Sequence, residues 1–133
     1  MGAFPIWSVA VVDDEPSVRK ALARLLRSAG FQATEFASGL DFVHALGRGG
    51  YPCVILDLQM AGMSGAEVQI HERVRGAGTA VIIITAHDDP GSRARCMAAG
   101  ATAYLCKPFD DLALLGAVKA ACLASLGPQD TRN

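Results

Sequence analysis

Residues 8–16 read Ser8-Val9-Ala10-Val11-Val12-Asp13-Asp14-Glu15-Pro16, an unbroken apolar run that stops at three acids and a proline. A strand with no polar alternation is one covered on both faces, as in a parallel sheet. Two more runs repeat the pattern: Cys53-Val54-Ile55-Leu56 before Asp57, and Val81-Ile82-Ile83-Ile84 before Thr85. A weaker run spans Phe31 to Phe36, and a last one, Ala103-Tyr104-Leu105-Cys106, precedes Lys107. Helical patterns fill the intervals. Val18, Ala21, Leu22, Leu25 and Leu26 form an i, i+3, i+4, i+7, i+8 stripe, with Arg19, Lys20, Arg24 and Arg27 on the other face and Gly30 as a stop. Ser64-Gly65-Ala66-Glu67 opens a third helix as a capping box, with Ala66, Ile70 and Val74 along one side. Shorter helices fit Leu40 to Leu46 and Ser92 to Ala99, and the last runs from about Asp110 to Leu126. Strand and helix thus alternate five times, which right-handed crossovers turn into one open, doubly wound α/β domain.

Composition agrees with a single domain. Of 133 residues, 51% are hydrophobic and 19% charged, enough apolar material for a core and too little charge for disorder. Twelve basic residues against thirteen acidic ones leave a charge of -1, with no basic footprint for direct nucleic acid binding or for a membrane surface. Cys53, Cys96, Cys106 and Cys122 are scattered, with no Cys-x-x-Cys pair, and read as core thiols of a reducing, cytoplasmic compartment. The start lacks a basic region ahead of its apolar residues, so it does not read as a leader, and Leu112 to Leu126 is short for a membrane span. Gly127 to Asn133 reads as a tail or the start of a linker, leaving a core of about 8–126 in a domain of 1–133.

Chemistry is expected where the strands end. Ligands of open α/β sheets bind outside the carboxyl ends of the strands. Asp13, Asp14, Asp57, Thr85 and Lys107 follow four such ends and should converge there although they lie far apart in sequence. Crowded carboxylates repel and call for a cation. An all-oxygen set that leaves room for substrate suits hexacoordinate Mg2+. A carboxylate, a divalent cation, a lysine and a hydroxyl are the parts needed to attack a phosphate and stabilise its oxygens, with Asp57 best placed as nucleophile.

Four motifs in this order and spacing, Val-Val-Asp-Asp-Glu-Pro (11–16), Leu-Asp-Leu-Gln-Met-Ala-Gly-Met-Ser-Gly (56–65), Thr-Ala-His (85–87) and Tyr-Leu-Cys-Lys-Pro-Phe (104–109), carry a family resemblance. The chain resembles a receiver domain of bacterial two-component response regulators over essentially residues 8 to 126, and within them the nitrogen-fixation branch. The resemblance implies a flavodoxin-like (βα)5 fold with strand order 2-1-3-4-5. It implies that Asp57 accepts a phosphoryl group from a sensor histidine kinase, and that the domain is no enzyme beyond its own phosphorylation and dephosphorylation. It further implies Mg2+ held directly by Asp14 and Asp57, by Asp13 through water and by the Gln59 carbonyl. Lys107 would pair with the carboxylate or phosphoryl oxygens ahead of a cis bond to Pro108. Thr85 and Tyr104 would form a switch in which the hydroxyl moves to the phosphoryl group and the ring swings inward. Ala86 leaves the site open to a donor, and Gln59 and His87 stand where the family tunes phosphoryl lifetime. Family members usually carry proline where Ala61 stands, a departure expected to loosen the loop after the third strand.

Other features are discounted or left as rivals. His44 and His71 lie in helical stretches without metal-ligand partners and read as surface residues; Trp7 reads as packing and Arg19 to Arg27 as a solvated face. A dehalogenase-type phosphatase would place its nucleophile after the first strand in an Asp-x-Asp pattern, which Asp57-Leu58-Gln59 lacks. A flavodoxin-like carrier would meet Asp13-Asp14-Glu15 where a flavin phosphate binds. A pseudo-receiver that only binds partners would not need all of Asp13, Asp14, Asp57, Thr85 and Lys107. The last helix is apolar nearly all round, with Lys119 its only charge between Leu112 and Leu126. A helix of that kind is covered on more than one side. The expectation is a homodimer through the fourth and fifth helices, or docking to a DNA-binding output domain outside the chain.

Overall fold

The computed structural model describes residues 7–48 and 50–130; residues 1–6 and 131–133, where part of the leader and tail readings falls, lie outside the described residues. Five strands, β1 (Ser8–Val12), β2 (Gln32–Phe36), β3 (Cys53–Asp57), β4 (Ala80–Thr85) and β5 (Ala103–Cys106), form one all-parallel sheet in the order β2-β1-β3-β4-β5. Between and after them run α1 (Pro16–Ser28), α2 (Gly39–Ala45) with a 3-10 turn at Leu46–Arg48, α3 (Gly65–Ile70), α4 (Glu72–Ala77), α5 (Pro90–Ala98) and α6 (Asp111–Asp130). This is the flavodoxin-like doubly wound arrangement.

The lack of alternation in the strands has a direct cause. Val9 and Val11 of β1, Ile55 of β3, and Ile82 and Ile84 of β4 share one apolar layer with Leu22 and Leu26 of α1 and Leu114 and Val118 of α6. Ala10, Val12, Val54, Leu56, Val81 and Ile83 point the other way, into a layer with Phe42, Val68, Val74 and Tyr104. Both faces are roofed, so successive residues are equally buried although their side chains oppose. Edge strand β2 is half exposed, which explains its weaker signal.

Four local readings change. The third helix is two: His71, at φ -62 and ψ 138, breaks it, and its Nδ1 accepts from the Arg73 N–H at 3.1 Å to cap α4. His71 is therefore a capping residue rather than a bystander. The break also rotates the buried face. Gly65, Val68 and Gln69 turn inward while Ile70 is 56% exposed, so Val74 alone of the expected stripe reaches the core. α6 continues to Asp130 rather than ending at Leu126. Extending a helix already several turns long carries no new nucleation cost. Cys53 and Cys122, distant in sequence, meet in the core with their thiols hydrogen-bonded.

Candidate functional site

The strand ends converge as expected. Asp13 and Asp14 follow β1 and Asp57 closes β3, and each offers a carboxylate oxygen within 4.8 Å of the others. Asp13 is fully buried and Asp57 is 6% exposed, while Asp14 faces solvent. Lys107, one residue past β5, brings its Nζ to 3.4 Å from Asp13 Oδ2 and 3.5 Å from Asp57 Oδ2. The Lys107–Pro108 bond is cis.

Backbone donors orient the carboxylates. The Glu15 N–H reaches Asp13 Oδ1 at 2.9 Å, and the Gln59 N–H reaches Asp57 Oδ1 at 3.1 Å. Asp14 Oδ2 accepts from the Ala61 N–H at 3.0 Å. Proline, which lacks that donor, could not make this bond, so the departure at Ala61 ties the loop to the acidic cluster instead of merely loosening it. Behind Asp57, a Cβ on Gly65 would collide with the Asp57 carbonyl oxygen, so only glycine lets the start of α3 sit against the end of β3.

The charges do not balance. One lysine faces three carboxylates, and burial pushes the Asp57 carboxyl up to about 6, with the Asp13 charge adding to the rise; the Gln59 N–H and Lys107 act against it. A site that is negative, built of oxygens and open on the Asp14 side is matched to a hard divalent cation that keeps some of its waters. The donor set therefore fits Mg2+. Gln59 lies exposed beside Asp57 and is tied to it through its N–H.

Thr85 is fully buried at the end of β4, and its hydroxyl is engaged within its own loop. Oγ1 accepts from the His87 N–H at 3.1 Å and donates to the His87 carbonyl at 3.2 Å, while the Lys107 N–H bonds the Thr85 carbonyl at 2.7 Å. Ala86 and His87 are exposed. Tyr104 is already buried, with the Arg93 guanidinium 4.6 Å from its ring centroid.

Two residues escaped the sequence reading. Arg19, taken as part of a solvated face, donates to the Asp13 carbonyl at 2.8 Å and pairs with Glu35 at 3.3 Å, with its side chain 13% exposed. The available signal was its place next to Val18, on the edge of the apolar stripe, and the lone acid near the end of β2. Arg93 carried no signal, because the ring it covers lies beyond the next loop. His44 is exposed in α2, and Trp7 stacks on Phe31 at 6.3 Å, both as read.

The larger exposed side chains of α6 gather on one flank. Leu114, Val118, Ala121 and Cys122 cover the sheet. Leu112, 76% exposed, Leu115, Gly116, Lys119 and Leu123 instead line a groove of about 790 Å3 with Trp7 and Phe31, beside the end of α1. Positions 112, 115, 119 and 123 follow the helical repeat along one flank of α6, which opens toward the end of α1.

Residues 9–119 match the response regulator receiver domain family. Among curated proteins, the transcriptional regulatory protein FixJ of Azorhizobium caulinodans is 42% identical over 84% of this chain and 53% of its own length. The response regulator protein TodT of Pseudomonas putida is 35% identical over 94% of this chain and 54% of its own. The chain spans about half the length of these relatives. Among solved structures, FixJ-N superimposes with a TM-score of 0.82 at 30% identity, covering 90% of this chain and 96% of that one. A response regulator receiver protein from Burkholderia phymatum gives 0.76 at 47% identity, covering 86% and 94%.

Proposed function

Because this chain belongs to the receiver domain family of response regulators, and is FixJ-like within it, we propose that Asp57 is a phosphoacceptor serving a sensor histidine kinase with Mg2+ as cofactor. The observation that carries the reading is Lys107 Nζ set between Asp13 and Asp57 inside a cluster of three carboxylates. An Asp57 oxygen attacks the phosphorus of a phosphohistidine, the P–N bond breaks, and the imidazole leaves after taking up a proton. Asp13, Asp14 and Asp57, with the Gln59 carbonyl as a further ligand, would hold Mg2+, which would supply positive charge against the phosphoryl oxygens. Lys107 neutralises the same charge. Thr85 Oγ1 leaves the His87 carbonyl to donate to a phosphoryl oxygen, and that departure is the switch.

The donor helix of the kinase fits a groove of about 420 Å3 next to this site, lined by Val18, Ala21 and Leu25 of α1 and by Pro108 and Phe109. The phosphorylated domain then controls transcription through a DNA-binding output domain outside this chain, in the cytoplasm. The domain promotes only its own phosphorylation and dephosphorylation. Acetyl phosphate tests the reading without the kinase. Intact mass should show one phosphoryl group, labile to hydroxylamine, only when Mg2+ is present. Uptake that is equal with chelator, or that persists in Asp57→Asn, assigns the chemistry elsewhere.

A further inference from the structure

Tyr104 is 6% exposed, yet its hydroxyl has no hydrogen-bond partner among the described residues. A phenol hydroxyl held this way forgoes the water it would bind outside, so whatever touches the ring must compensate. The ring belongs to the apolar layer that includes Val81, Ile83 and Cys96. Over its face lies the guanidinium of Arg93, 4.6 Å from the centroid. Arg93 Nη2 also lies 4.0 Å from Asp88 Oδ1 and 4.0 Å from Cys106 Sγ. Asp88 follows His87, whose N–H and carbonyl both engage Thr85 Oγ1. A continuous set of contacts therefore joins the Thr85 hydroxyl to the Tyr104 ring through one loop and one cation.

We propose that Arg93 is a positioning residue that seats Tyr104 inward before any phosphoryl group arrives and couples the ring to the loop held by Thr85. The coupling to Thr85 rests on the phosphoacceptor reading; the seating of the ring does not. When Thr85 Oγ1 turns to a phosphoryl oxygen, its bond to the His87 carbonyl is lost, and the loop that carries Asp88 is freer to move beside Arg93. Since the ring is already in place, phosphorylation has no ring motion to offset. Without Arg93 part of the population carries the ring outward, and the inward form must be drawn back at the expense of ligand affinity. A lysine retains the cation but not the flat stacking surface, so it should restore the effect only in part.

Fluorine NMR of the full chain labelled with 3-fluorotyrosine reads this directly, because Tyr51 and Tyr104 are the only two tyrosines. Tyr51 packs on Phe36 and Phe42, with centroids at 5.9 and 6.1 Å, and reports on the fold as an internal control. The probe is beryllofluoride with Mg2+. In Arg93→Ala the ligand-free Tyr104 resonance should move toward the solvent-exposed shift while Tyr51 stays, and beryllofluoride should move it back. The midpoint for beryllofluoride should rise about twofold to fivefold, the worth of one solvent-exposed cation–π contact. Arg93→Lys should fall between wild type and Arg93→Ala, and Arg93→Met should behave like alanine. A ligand-free Tyr104 resonance unchanged in Arg93→Ala, or one that moves together with Tyr51, overturns the proposal. Failure of the phosphoacceptor reading looks different: no variant responds to beryllofluoride, while the ligand-free shift of Tyr104 persists.

Discussion

Asp57 is held in the metal-free protein against its own charge. Burial and the Asp13 carboxylate raise its carboxyl to about 6, and neither the Gln59 N–H nor Lys107 cancels the rise. An acid raised on folding binds its proton more tightly folded than unfolded. Its favourable contribution is therefore complete below the unfolded value of about 4 and is lost as pH rises through about 6. At neutral pH the ionised Asp57 is a net cost in the absence of metal. Asp57→Asn keeps the shape and removes the charge, so it should melt about 3–6 °C higher than wild type at pH 7 in chelator. The gap should close toward pH 4, where wild type is protonated too. Melting curves from pH 4 to pH 8 check this, and a gap independent of pH would show that the charge is not its source. Saturating Mg2+ should reduce the gap at pH 7, since the ionised form binds the cation and mass action favours the state that binds.

At the scale of elements, the loop from β3 into α3 sets the geometry of the site, and Gly65 sets the loop. A side chain there meets the backbone of Asp57 and Leu58 rather than a movable side chain, so the helix start must retreat. Gly65→Ala should cost about 1–3 kcal/mol, as overpacking does, and lower the rate of Mg2+-dependent phosphorylation together with stability. Urea unfolding and acetyl phosphate kinetics on the same preparation test this; unchanged values for both would mean the loop has room. Gly65 was legible only as part of the capping box at Ser64, because a backbone collision with a residue eight positions earlier leaves no periodic trace. The five strands and α1 were legible for the opposite reason: burial on two faces, or on one helical stripe, writes itself into every residue of the run. The break at His71 was not, since a single residue in extended conformation changes the face of everything after it without changing composition. The acidic cluster with Thr85 and Lys107 could be read because strand ends mark the mouth of such a sheet. The Ala61 bond to Asp14 and the Arg93 lid depend on side-chain paths that sequence order does not encode.

At the scale of the molecule, the chain covers about half the length of FixJ and TodT. Among the described residues, two of the exposed surfaces bear on self-association. One is the flank of α5 and β5 beside Tyr104, where Met97 is 44% exposed. The other is the groove of Trp7, Phe31, Leu112 and Leu123 beside α1. If phosphorylation acts through Thr85, Arg93 and Tyr104, the first surface is the one that changes. Sedimentation should then show self-association increased by beryllofluoride with Mg2+ and reduced by Met97→Glu, with Leu112→Glu leaving the response intact. The reverse pattern would assign the interface to the groove. All of this depends on where the phosphoryl group goes. An acyl phosphate on aspartate is reduced by borohydride to homoserine, which leaves a permanent mark at the acceptor. After acetyl phosphate, Mg2+ and borohydride, peptide sequencing by mass spectrometry should find homoserine at position 57 and at neither Asp13 nor Asp14. Homoserine at 13 or 14, or none anywhere in protein that has taken up phosphate, would contradict Asp57 as the acceptor.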